Sequence, residues 1–188
     1  MIMSRRLKRG KAARVCYAAG MPSDHQDDAV TVRAAQDRDV DQLAQLWHEG
    51  WNDAHAALAP AGLVRARTLD RFRERIAAAL ADTFVMGPPG APSGFYMLKD
   101  DELYQFYLAR SARGSGIAAA LIADAEARLA ARGVTTAWLA CAIGNDRAAR
   151  FYGKCGWSRA RCEVNRLETA DGVFEVEVWR YEKRLSPA

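Results

Sequence analysis

The segment from Glu102 to Ala140 most restricts what this chain can fold into. An aromatic-rich run, Glu102-Leu103-Tyr104-Gln105-Phe106-Tyr107-Leu108, reads as a strand. Arg113-Gly114-Ser115-Gly116-Ile117-Ala118-Ala119 follows and opens a helix over Ser115–Ala131, with Ile117, Leu121, Ala125 and Leu129 on one face and Asp124 and Arg128 at i,i+4. Gly133 stops that helix, and Thr136–Ala140 is a short buried strand. Two strands joined by a helix of this length run parallel, because only a long crossover returns the chain to the same sheet edge. The glycine-rich turn exposes backbone N–H groups at the positive end of a helix, a ready site for phosphate or pyrophosphate. Small residues at 114, 116, 118 and 119 let an anion approach the backbone, and Arg113 adds a cation. Taken alone, the same residues also read as a tight strand-to-helix turn.

The remaining pattern supplies a sheet around this unit. Val30–Ala34 alternates as a first strand. Asp37 or Asp39 caps a helix carrying Val40, Leu43, Leu46, Trp47 and Trp51, which Pro60 and Gly62 break. Thr68–Leu80 is a second helix, Thr83–Met86 and Gly94–Leu98 are strands about a Gly87-Pro88-Pro89-Gly90 turn, and Asn145–Cys155 is a helix ended by Gly156. Strands at about 158–165 and 173–183 flank an Asp171-Gly172 turn. The expected order is β-α-α-β-β-β-α-β-α-β-β, an α/β fold whose mixed sheet carries helices on both faces.

Charge narrows the partners. The net charge is +4, but Arg5, Arg6, Lys8, Arg9, Lys11 and Arg14 all fall in residues 1–20, which hold no acid. Without them, residues 21–188 hold 21 basic and 23 acidic side chains, a net charge of −2, so no general nucleic-acid-binding surface is expected. Residues 1–29 read as a basic and polar leader, disordered and non-structural, with Met21 as an alternative start, and 30–184 as a single domain. The leader's Ser-Arg-Arg lacks the apolar core of an export signal, although an organelle-targeting or RNA-binding arm stays open. No apolar run reaches membrane-spanning length. Cys16, Cys141, Cys155 and Cys162 form neither C-x-x-C nor a zinc spacing, so reduced thiols and a cytoplasmic location are expected.

Arg113-Gly114-Ser115-Gly116-Ile117-Ala118 matches the Arg/Gln-x-x-Gly-x-Gly/Ala signature of the GNAT superfamily of N-acetyltransferases. Asn145, Ala148, Tyr152, Gly156 and Trp157 are similar to that family's N-x-x-A-x-x-x-Y-x-x-x-G-F block, with Trp replacing Phe, and they fall one helix and one strand later, as in the family. The resemblance spans about residues 30–184 and is nearest to stand-alone bacterial members. It implies acetyl transfer from acetyl-CoA to a primary amine by direct attack in a ternary complex, with no metal. The acceptor, a small molecule or a protein amine, is left open, as is a homodimer. It also implies that the fourth and fifth strands splay, and that backbone groups of Phe106 and Leu108 hold the pantetheine arm. The Leu108 N–H then faces the thioester carbonyl. Arg113, Gly114, Ser115, Gly116, Ile117, Ala118 and Ala119 would hold the pyrophosphate. Asn145 and Ala148 would contact the pantetheine, with helix capping as the alternative for Asn145. Tyr152 would protonate the departing thiolate, or else be a core aromatic.

Glu102 occupies the position of a strand glutamate that serves as base in some members of that family; the alternatives are an exposed strand-edge charge or a water chain as base. His48, Asn52 and His55 share one helix face, and with Trp51 form a candidate acceptor-binding set. A solvated or half-buried helix face is the plainer reading, and His48-Glu49 with His55 is not an H-E-x-x-H metal motif. Gly114 to Ala119 also satisfies G-x-G-x-x-G/A, but a dinucleotide-binding oxidoreductase needs a ribose-binding acid near the end of the next strand. Thr136-Ala137-Trp138-Leu139-Ala140-Cys141 has none. A non-catalytic acyl-CoA-binding or interaction module of the same fold stays open.

Overall fold

The computed structural model describes residues 31–169 and 171–186. The expected leader, and the Val30 end of the first strand, lie outside the described residues. Seven strands form one sheet: β1 (Val32–Ala34), β2 (Thr83–Met86), β3 (Gly94–Lys99), β4 (Glu102–Leu108), β5 (Thr136–Ala142), β6 (Ser158–Thr169) and β7 (Gly172–Arg184). Their spatial order is β1-β2-β3-β4-β5-β7-β6. β4 and β5 are the parallel pair, as the long crossover requires, and the other neighbours are antiparallel.

The helices are α1 (Val40–His55), α2 (Ala61–Ala66), α3 (Leu69–Ala78), α4 (Ile117–Ala131) and α5 (Asp146–Lys154). α2 is additional to the sequence expectation. α1 already ends at His55, ahead of the expected break at Pro60 and Gly62; Pro60, whose φ of −55° and missing N–H suit a helix start, is the N-cap of α2, and Gly62 lies within that helix. α4 begins at Ile117 rather than Ser115, because Gly116 sits at φ +88° in the left-handed region just ahead of it. Asp39 does not cap α1 with its side chain; its carboxylate is held by Arg33 at 2.7 Å and by the Gln36 N–H at 2.9 Å.

Each face of the sheet buries its own core. Leu121, Ala125 and Leu129 of α4, with Tyr152 and Trp157, pack against Leu139, Leu103 and Tyr96. On the other face Leu43, Trp47, Phe72 and Ile76 of α1 and α3 pack against Val85, Phe95 and Met97. Burial of these large apolar side chains is the main favourable term holding both layers to the sheet.

Candidate active site

β4 and β5 pair at one position only, Glu102 opposite Trp138, where the Trp138 N–H reaches the Asp101 carbonyl at 3.2 Å. Beyond that point the two strands diverge, while β4 stays paired to β3 as far as Gly94–Leu108. The Ala109 N–H donates to Ser93 O at 2.9 Å, and antiparallel bonds alternate sides along a strand. The register therefore turns the Leu108 and Phe106 N–H groups away from β3 and toward the gap. A cavity of about 500 Å³ fills that gap; Phe106, Leu108 and Ala118 line one side, and Cys141, Asn145, Ala148 and Tyr152 line the other.

The glycine-rich turn closes one end of the gap. Gly114 at φ +81° and Gly116 at +88° hold a backbone that L side chains rarely adopt. Among the described residues, no backbone carbonyl accepts from the N–H of Gly114, Gly116, Ile117 or Ala118. Four donors at a helix start are therefore free for an anion. Gly114, Gly116, Ala118 and Arg113 line the cavity. Ser115, Ile117 and Ala119 do not: the Ser115 hydroxyl donates to Ala112 O at 2.6 Å, Ile117 packs on the core, and Ala119 is exposed. Arg113 and Arg147 bind Asp53 of α1 at 2.8 and 2.9 Å, and Arg110 binds the same carboxylate. Hydrogen bonds from Arg110, Arg147 and Arg113 hold Asp53 well below the usual carboxylate range.

Tyr152 is buried among Phe106, Phe151, Trp157 and Tyr181. Burial pushes its phenol far up, so it stays protonated near neutral pH. Asn145 does cap α5, accepting the Ala148 N–H at 3.2 Å, and it also lines the cavity. Glu102 is 9% exposed rather than a solvated edge charge, and it lines the same cavity. Burial pushes its carboxyl up to about 7, against the opposing pull of Lys99 and Arg180. Cys141 is likewise pushed up to about 11 by burial.

The acetyltransferase (GNAT) family model matches residues 41–157, from α1 through both sequence blocks. The chain belongs to the GNAT acetyltransferase family. No curated protein matches the sequence. Among solved structures it is similar to a GCN5-related N-acetyltransferase from Rhodopseudomonas palustris, at 20% identity and TM-score 0.65, covering 84% of this chain and 96% of that one. It is also similar to an N-acetyltransferase from Staphylococcus aureus Mu50, at 18% identity and TM-score 0.64, covering 83% and 98%. A third is the PaiA N-acetyltransferase from Thermoplasma acidophilum in complex with coenzyme A, at 16% identity and TM-score 0.60, covering 82% and 98%. These likenesses establish a GNAT fold, and family membership supports acetyltransferase activity.

The GNAT sheet places the first-helix residues unequally. Trp51 and His55 line the cavity, with their rings stacked at 5.7 Å, and burial pushes the His55 imidazole down. His48 and Asn52 do not line it: His48 packs edge-on against Phe72, and Asn52 donates back to His48 O at 2.9 Å. Several cavity residues of this GNAT domain have no motif in the sequence. Met97 pairs with Gln105 and Leu98 with Leu103, so Tyr104 is a bulge residue, aimed at the α1–α3 face beside Arg75. Arg67, Arg75 and Gln105 also line the cavity without a motif, and Asp53, outside it, was likewise missed, since its role depends on contacts between distant segments. No group of three or more His, Cys, Asp or Glu among the described residues is placed to hold a metal ion, and no described helix is long and apolar enough to cross a membrane.

Proposed function

We propose that this GNAT domain transfers an acetyl group from acetyl-CoA to a primary amine, by direct attack in the gap between β4 and β5. The observation that carries the reading is the set of unpaired backbone donors: Phe106 and Leu108 face the gap, and Gly114, Gly116, Ile117 and Ala118 lie at its end. An extended pantetheine arm suits the first pair as an added strand would, and a pyrophosphate suits the second set. Acetyl-CoA supplies the activated acyl group as a thioester. The Leu108 N–H is a preoriented donor for negative charge that develops on an acyl oxygen. Tyr152, neutral and lining the cavity, supplies a proton to a leaving thiolate. Glu102, poised near neutrality, accepts a proton from the incoming ammonium. Cys141 with a pKa near 11 is a poor nucleophile at neutral pH, which favours direct attack over an acyl-cysteine relay.

A thermal-shift comparison of acetyl-CoA, CoA, NAD and ATP tests the reading. Acetyl-CoA and CoA are expected to raise the melting temperature, by about 2.7 kcal/mol of stability at 100 times the dissociation constant, and NAD and ATP to leave it unchanged. No shift with millimolar acetyl-CoA refutes it.

A further inference from the structure

Arg67, just past α2, and Arg75, on α3, both line the cavity on the α1–α3 side of the sheet. Arg75 is fixed in place: its guanidinium lies 4.3 Å over the Trp47 ring, and Nη2 donates to the bulged Tyr104 hydroxyl at 2.7 Å. Arg67 has a buried Nε with no acceptor, and burial together with the Arg75 charge pushes its pKa down. Neither arginine has a carboxylate within ion-pair distance among the described residues, whereas Arg110 and Arg113 of the turn and Arg147 of α5 share Asp53. Two acids line the same cavity but leave these cations unpaired. Glu102 is governed by Lys99 and Arg180, and Glu177 is exposed on β7.

Arg67, half-buried without a counter-charge, has lost part of its hydration and is repelled by Arg75. A planar carboxylate offsets both costs, because its two oxygens match the donor fork of arginine. The enclosure limits the size of the ligand. Leu167 and Val176 of the β6–β7 hairpin line the cavity and pack against the α1–α3 core. The hairpin seats closely on α2, where the Phe174 ring lies 2.7 Å from the place a Cβ would occupy on Gly62. Trp51, Leu63, Leu167 and Val176 make the walls apolar.

We infer that the acceptor is a small amino acid with an apolar side chain, and that Arg67 and Arg75 bind its carboxylate while its amine is acetylated. The inference rests on the acetyl-transfer reading of this cavity. In the reaction the ammonium gives one proton to Glu102, the freed amine nitrogen bonds to the acetyl carbon, the carbon–sulfur bond breaks, and the thiolate takes the Tyr152 proton. The nitrogen's second proton restores Tyr152 and Glu102 returns its own to solvent, so that CoA and an N-acetyl amino acid result.

The test measures acetyl-CoA-dependent CoA release with matched acceptors: leucine against isopentylamine, phenylalanine against phenethylamine, and the aminophosphonate analogue of leucine. The amino acids are expected to exceed their decarboxylated partners by about 100-fold or more in kcat/KM, because the amines leave the half-buried Arg67, with its buried Nε, without an acceptor. Arg67→Gln is expected to cut that preference to below about 10-fold by slowing the amino acids alone, with Arg67→Lys intermediate. The thermal shift with acetyl-CoA should be the same in wild type and variants, which also shows that they fold. Titration of N-acetylleucine into the CoA-saturated protein should give saturable binding that Arg67→Gln weakens. Equal rates within the pairs, preference for the aminophosphonate, an unchanged preference in Arg67→Gln, or no binding or turnover of either amino acid overturns the inference. If acetyl-CoA itself produces no shift, the acetyl-transfer reading fails before the acceptor question arises.

Discussion

Burial acts on Tyr152 and Glu102 in the same direction and gives them opposite uses. It keeps the Tyr152 phenol protonated, so this side chain can donate but not accept near neutral pH. Tyr152→Phe removes one hydroxyl and little volume. A fall in kcat of about 10- to 1000-fold is expected with little change in acetyl-CoA affinity, since the proposed binding groups are those of the turn and strand backbone. Pre-steady-state kinetics with a binding titration checks both, and an unimpaired kcat would leave Tyr152 as packing. For Glu102 the same burial brings the value to about 7, above its ordinary 4.5. The folded protein thus keeps a proton that the unfolded chain has released, so stability falls as pH rises from about 4.5 to about 7 and changes no further above that. Glu102→Gln should melt with wild type below that window and above it at pH 8. As the base, Glu102 should make wild-type kcat/KM rise with pH to a plateau just above about 7, and Glu102→Gln should lose most rate on that plateau. Superimposable pH–rate profiles would assign the proton transfer to water.

The turn ahead of α4 and the end of α1 are separate elements held together by one carboxylate. Asp53 on α1 gathers Arg110, Arg113 and Arg147 from the turn and from α5, and so fixes cations beside the free N–H groups of Gly114, Gly116, Ile117 and Ala118. On the proposed function, an incoming pyrophosphate would compete with that carboxylate for the same arginines. Asp53→Ala is therefore expected to lower the melting temperature of the ligand-free protein, through repulsion among three arginines, and to enlarge the shift caused by acetyl-CoA. Differential scanning fluorimetry at low and high salt reads both, and the enlargement should shrink with salt. A smaller acetyl-CoA shift than in wild type would mean that Asp53 positions the arginines rather than competing for them. Element boundaries were legible where side chains act locally, as at Thr68, which caps α3 by accepting the Arg71 N–H at 3.4 Å. They slipped where backbone chemistry allowed two outcomes, as at Pro60, which reads as a helix breaker and instead begins α2, five residues after α1 ends at His55.

At the scale of the molecule, the sheet order turns local motifs into a cavity. The helical crossover and two apolar strands by themselves determined a parallel β4–β5 pair, and Gly114 and Gly116 by themselves determined a turn with free donors at its helix start. Both follow from short-range periodicity and from the conformations glycine permits, which a sequence displays directly. For Asn145 the sequence left helix capping as one of two readings, and the structure shows that it does cap α5 by accepting the Ala148 N–H. Only the tertiary structure decided that β4 and β5 part after Glu102 and that the bulge at Tyr104 turns its hydroxyl to Arg75. It alone also decided that Trp51 and His55, but not His48 and Asn52, line the cavity. The burial that moves Glu102 to about 7, and the meeting of Arg67 and Arg75 with Leu167 and Val176 of the β6–β7 hairpin around one cavity, join residues far apart in the chain. Desolvation and charge repulsion depend on which surfaces meet, and no periodicity along one strand or helix encodes that meeting.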